Sequence, residues 1–109
     1  MKVLLDECLP KKLKRDVQAD FVRTVPEMGW AGTKNGALLR LAEQAFDVSL
    51  TNDQNLEHQQ LLSKVDLALV VLVAPTNDIA DLQPLMPAVN EALKNIHAGE
   101  IVYIGASTK

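Results

Sequence analysis

Two acidic points in this chain carry the residue types for metal-assisted chemistry. Asp6-Glu7 follows the apolar run Val3-Leu4-Leu5, and Asp53 lies in Asn52-Asp53-Gln54-Asn55, just after Asp47-Val48-Ser49-Leu50-Thr51. Carboxylates that converge repel one another, and a hard divalent cation relieves that repulsion. Mg²⁺ favours a few carboxylates completed by water. On such a cation a water becomes nucleophilic and a phosphate is polarised and oriented. Taken singly, either acid reads more often as a helix cap or an Asx turn. The pair weighs more because each acid follows a strand that ends at the same edge. Asn35, Asn55 and Asn77 fall in loops on that edge. Asn35 reads first as an N-cap, and Asn55 as a turn residue.

The elements that must position these acids alternate along the chain. Val3-Leu4-Leu5 is apolar throughout, as buried parallel strands are. Pro10 suits a first helical turn, and Leu9, Leu13 and Val17 fall at the spacing of an inward stripe with the lysines outside. A second strand is expected over 21–25 and a loop over 26–34. A helix from about Asn35 carries Leu38, Leu41, Ala42 and Ala45 at helical spacing. The third strand spans 47–51, and a short helix is expected over 56–64. The most apolar stretch, 67–73, is expected as the central strand. Pro75, Asn77 and Asp78 end it; a helical turn from Asp78, a helix from Pro84 to Ile96 stopped by Gly99, and a last strand over 101–104 follow. This alternation predicts a three-layer α/β/α fold with a mainly parallel central sheet. In such sheets ligands bind beyond the carboxyl ends of the strands, where the strand order reverses.

Composition sets limits on partners and compartment. A chain of 109 residues makes one domain, 1–109, and 48% hydrophobic residues supply a core without disulfides or a structural metal. Cys8, the single cysteine, excludes an internal disulfide and suits a reducing cytoplasm; it reads as a small packer. No apolar run approaches the ~20 residues that span a bilayer, and Asp6 comes too early for a secretory signal. The net charge of −3 excludes a general polycation, yet Lys11, Lys12, Lys14 and Arg15 form a local basic cluster expected to contact RNA. Most such clusters are solvated helix faces. Trp30, in a glycine-flanked loop, is a packing anchor more often than a platform for bases, and both readings are carried forward. His58 sits among glutamines and reads as exposed.

Three segments resemble a known family. Leu4-Leu5-Asp6-Glu7-Cys8-Leu9-Pro10, then Gly29-Trp30-Ala31-Gly32-Thr33-Lys34-Asn35-Gly36, then Thr51-Asn52-Asp53-Gln54-Asn55-Leu56, look like a small bacterial family of PIN-like proteins. That family is related to the VapC-type toxins of toxin–antitoxin pairs. The resemblance covers nearly the whole chain; each motif alone is weak, and the three in order are fairly specific. It implies a PIN-like fold, a Mg²⁺- or Mn²⁺-dependent ribonuclease (hydrolase) ancestry, an RNA substrate, a small antitoxin partner and a homodimer as one assembly. Position by position, Asp6 matches the first metal-ligand aspartate and Asp53 the aspartate of the T-x-D turn, with Glu7 beside Asp6. Where relatives carry further acids, Asn35 and Asn55 are neutral here.

The second reading is therefore a catalytically silent module that binds RNA or protein through the basic cluster and the Trp30 loop. A signalling receiver domain ranks lower: it needs a lysine near the end of its fifth strand, and none lies between Lys94 and Lys109.

Overall fold

The structure is a computed structural model that describes residues 1–52 and 64–105, the side chain of Asn35 excepted. Five strands form one sheet: β1 (Lys2–Leu5), β2 (Phe21–Thr24), β3 (Val48–Thr51), β4 (Ala68–Val73) and β5 (Ile101–Gly105). The order is β2-β1-β3-β4-β5, and every neighbouring pair is parallel. All five carboxyl ends therefore share one edge. The chain leaves β1 for β2 on one side and then returns to β3 on the other. The reversal falls between β1 and β3, the place where doubly wound sheets bind ligands.

Side chains along a strand alternate between faces, and here both faces are covered. On the first, Val3, Leu5, Val48, Leu50, Val70 and Leu72 pack under a 3-10 helix (Lys11–Asp16) and the C-terminal helices, through Leu9, Leu13, Val17, Leu82, Met86 and Val89. On the second, Leu4, Leu69 and Val71 pack with Leu38, Leu39 and Ala42 of helix α1 (Asn35–Ala45), and with Phe46. Burial on both faces is why β1 and β4 read as unbroken apolar runs. The α/β/α layering matches the sequence expectation.

The differences have physical reasons. The inward stripe of Leu9, Leu13 and Val17 is buried as its spacing predicts, but the segment winds as a 3-10 helix, with Pro10 extended at its cap. β4 lies beside the centre, and β3 occupies the middle. β3 is fully buried, yet Ser49 and Thr51 lower its hydropathy, which is why β4 looks more central from sequence. In α1 the inward face is Leu38, Leu39 and Ala42; the mean direction of these side chains lies roughly 105° from Leu41 at 100° per residue, and Leu41 is 36% exposed.

The C-terminal helix is shorter than expected. Asp78 precedes α2 (Ile79–Leu82), a 3-10 turn covers Gln83–Leu85, and α3 runs Met86–Leu93. Gly99 does not stop it. With φ of 89° it forms the turn into β5, and its N–H donates to the Leu67 carbonyl at 2.9 Å.

Leu39→Ala is expected to cost about 2–5 kcal/mol, the range for emptying a buried leucine site. Leu41→Ala should stay within about 0.5 kcal/mol, as surface changes do. Urea denaturation of the two variants measures the contrast.

Candidate functional site

The β1–β3 ladder continues one residue past β1. The Asp6 N–H donates to the Leu50 carbonyl at 2.9 Å, and the Asp6 carbonyl accepts from Leu9 N–H at 3.0 Å. The backbone of Asp6 is thus pinned at the carboxyl edge, beside the strand-order reversal. Its side chain is held as firmly. Thr51 Oγ1 donates to Asp6 Oδ2 at 2.7 Å, and Glu7 N–H donates to Asp6 Oδ1 at 2.8 Å. Thr51 is 2% exposed, so the contact is made at the rim of the core.

Cys8 completes the cluster. Its Sγ donates to Asn52 Oδ1 at 2.8 Å and lies 3.5 Å from Asp6 Oδ2 and 3.7 Å from Thr51 Oγ1. Burial pushes the thiol pKa up, and the negative charge of Asp6 adds to that, while a backbone hydrogen bond from Asn52 works against it. At neutral pH Cys8 is a protonated donor, not a thiolate. Asn77 reaches over from the β4–α2 loop, its Nδ2 donating to the Cys8 carbonyl at 3.0 Å. Three strand ends therefore meet at Asp6, Cys8, Thr51, Asn52 and Asn77.

The expected site residues divide. Asp6 is at the centre. Glu7 is not brought into the cluster through its carboxylate: Glu7 Oε1 accepts from Gly32 N–H at 3.0 Å and ties the β1 end to the loop before α1. Asp53, Asn55 and His58 lie outside the described residues, as do residues 56–63 of the helix expected over 56–64. Asn35 opens α1, with Lys34 at the cap. Trp30 is half-buried and meets Phe46 edge to face, with ring centroids 6.0 Å apart at 82°, so it serves as a packing anchor.

The basic cluster does not act as one patch. Lys11 and Lys12 are exposed beside Asn77. Lys14 Nζ is bound to both oxygens of Glu27, at 2.9 and 3.0 Å. Arg15 lines a different groove, with Asp16, Asn90, Glu91 and Lys94. Glu27 also closes a capping box with Thr24: Glu27 N–H donates to Thr24 Oγ1 at 3.2 Å, and Thr24 N–H to Glu27 Oε1 at 2.9 Å. The signal was present in the sequence as Thr24-Val25-Pro26-Glu27.

Thr51 and Asn52 are members of the cluster that sequence reasoning gave no role, and Cys8, read there as a small packer, is half-buried and hydrogen-bonded through its Sγ. The residue types at the point fit a hard cation: a carboxylate oxygen of Asp6, the Thr51 hydroxyl and the Asn52 amide oxygen suit Mg²⁺ or Mn²⁺, and a protonated thiol suits neither. Among the described residues no three His, Cys, Asp or Glu side chains converge on one such point. No helix among them is long and apolar enough to cross a membrane. Comparison with protein-family models, curated proteins and solved structures found no match to this chain.

The Lys14 hydrogen bond, followed by that of the Thr24 backbone, lowers the Glu27 pKa from its ordinary 4.5 to about 2. A carboxylate with a depressed folded-state pKa adds stability above its unfolded pKa and loses it as pH falls through the folded one. Wild type should therefore melt above Glu27→Gln by a constant margin above about pH 5, and that margin should shrink toward pH 2. Melting curves of both proteins across that range check it.

Proposed function

We propose that this chain is a PIN-like hydrolase that cleaves RNA phosphodiester bonds with a divalent cation, Mg²⁺ or Mn²⁺, held by Asp6. The observation that carries the reading is the 2.7 Å hydrogen bond from Thr51 to Asp6 across the β1–β3 edge. It holds a carboxylate in one orientation at the strand-order reversal, and its donor, Thr51, lies two residues before Asp53 in the sequence. Preorganised charge at a fixed point is what cation binding needs. One carboxylate with water and substrate phosphate is within the habit of Mg²⁺. Bound there, the cation supplies a nucleophilic water and polarises the scissile phosphate.

The chain's own residues have distinct tasks in this reading. Asp6 supplies the negative charge. Thr51 fixes its rotamer, and Cys8 ties the loop after β1 to Asn52 after β3. Glu7 sets the loop before α1 through Gly32. The resemblance adds a small antitoxin protein as partner and a homodimer as assembly, and an unpaired cysteine suits a cytoplasmic site.

A silent module that binds RNA or protein is the second reading. The Glu7–Gly32 hydrogen bond favours it, because it commits the acid next to Asp6 to a loop.

Asp6→Asn tests the first reading. The asparagine amide can still accept from Glu7 N–H through its oxygen and donate to Thr51 Oγ1 through its nitrogen, so the fold should survive with an unchanged or raised melting temperature. Mn²⁺-dependent cleavage of RNA should be lost. Wild type that leaves RNA intact with Mg²⁺ and with Mn²⁺, or a variant that cleaves as fast as wild type, would overturn the hydrolase.

A further inference from the structure

We infer that the groove between the start of the first 3-10 helix and the β4–α2 loop seats the sugar–phosphate backbone of single-stranded RNA, with Lys11 and Lys12 as its phosphate contacts. This rests on the RNA reading above and says where along the surface the strand runs and what part of it is recognised.

The groove has a volume of about 520 Å³, and Lys11, Lys12, Asn77, Asp78 and Ile79 are among its walls. It adjoins the Asp6 cluster, because the Asn77 amide that lines it is the same group that holds the Cys8 carbonyl.

Charge separates this groove from the other large one. Lys11 and Lys12 are exposed, and neither ammonium pairs with a carboxylate among the described residues. Against them stands one groove-lining acid, Asp78. The groove on the far side of the same 3-10 helix, about 500 Å³, sets Arg15 and Lys94 against Asp16 and Glu91, so its charges cancel. Lys14 is neutralised by Glu27. Lys11 also borders Glu7 and Glu27 in a smaller adjoining groove, and within the Lys11–Lys12 groove itself two lysines stand against one acid.

The chemistry of the walls states what is read. Lysine ammoniums are flexible point charges that suit phosphate without demanding a fixed geometry. A positively charged groove tracks the backbone of a single strand, whereas an RNA duplex is recognised across its wide, shallow minor groove. Trp30 packs edge to face with Phe46 and is not among the residues that line the groove. Recognition therefore goes through the backbone and is indifferent to base.

Fluorescence anisotropy tests this with short fluorescent oligouridylate and oligoadenylate, without divalent cations, over a range of salt. The proteins are wild type, Lys11→Ala/Lys12→Ala, Lys2→Ala/Lys94→Ala and Asp78→Asn, each checked for an unchanged melting temperature. Each single-strand phosphate contact contributes about 0.7 to the salt slope, so the groove double variant should lose about 1.4. The Lys2/Lys94 double variant removes equal charge elsewhere and should keep the wild-type slope. Asp78→Asn should bind more tightly, and the two oligonucleotides should bind wild type alike. An unchanged slope in the groove variant, an equal loss in the control, or no binding by wild type would overturn the groove. Wild type that shows the expected pattern but does not cleave keeps the groove and removes the hydrolase. Cleavage whose KM and salt dependence survive Lys11→Ala/Lys12→Ala does the reverse.

Discussion

The parallel pairing of β1 with β3 is the constraint from which the site follows. Val3, Leu4 and Leu5 are fully buried, as is Leu50 opposite Leu5. Buried backbone groups must be hydrogen-bonded, so the register of these two strands cannot drift without leaving polar groups unpaired in the core. A one-residue slip would also turn every core side chain to the wrong face. The ladder carries on to Asp6 N–H and the Leu50 carbonyl. As a result, Asp6 and Thr51 meet at the carboxyl edge because of core packing, without help from the loops.

What surrounds that point is a division of charge. Of the four basic residues that look like one cluster in sequence, Lys14 serves Glu27, and through it the Thr24 capping box and the turn after β2. Arg15 faces the groove against α3, where Asn90 also donates to the Asp16 carbonyl at 2.8 Å. Lys11 and Lys12 form no ion pair among the described residues and lie beside Asn77. A structural ion pair and a candidate phosphate seat thus sit on one six-residue helix: Lys12 points about 120° away from the row that Lys11 and Lys14 share, one 3-10 turn apart, and Lys11 borders Glu7 and Glu27 as well as the groove beside Asn77. Hydrogen bonds from Glu7 to Gly32 and from Asn77 to Cys8 brace the loops on either side.

The layered fold was legible because burial on both faces leaves a plain signature: Val3-Leu4-Leu5 and the run from Leu67 to Val73 have no polar residue to interrupt them. β3 was harder to rank, since Ser49 and Thr51 are buried yet polar. Spacing alone does not separate Leu39 from Leu41 in α1, because they are the same residue type, and only packing against the sheet selects the first. Asp6 was legible from its place after a strand. The roles of Cys8, Thr51 and Asn52 were not, because their contacts link positions more than forty residues apart and depend on a strand order that alternation alone does not specify. The Thr24–Glu27 box has a legible spacing, a threonine followed three residues later by a glutamate.

The central claim is that the Asp6 edge holds a divalent cation, and paramagnetic line broadening tests it most directly. Mn²⁺ titrated into isotope-labelled protein broadens the amide signals nearest to it. The account predicts broadening first at residues 6–8 and 50–52, with the opposite edge unaffected, where Asp47 accepts the Lys2 N–H and Asp20 pairs with the amino terminus. Broadening that begins at Asp47 or Asp20, or none at residues 6–8 at any Mn²⁺ concentration the fold survives, would contradict it.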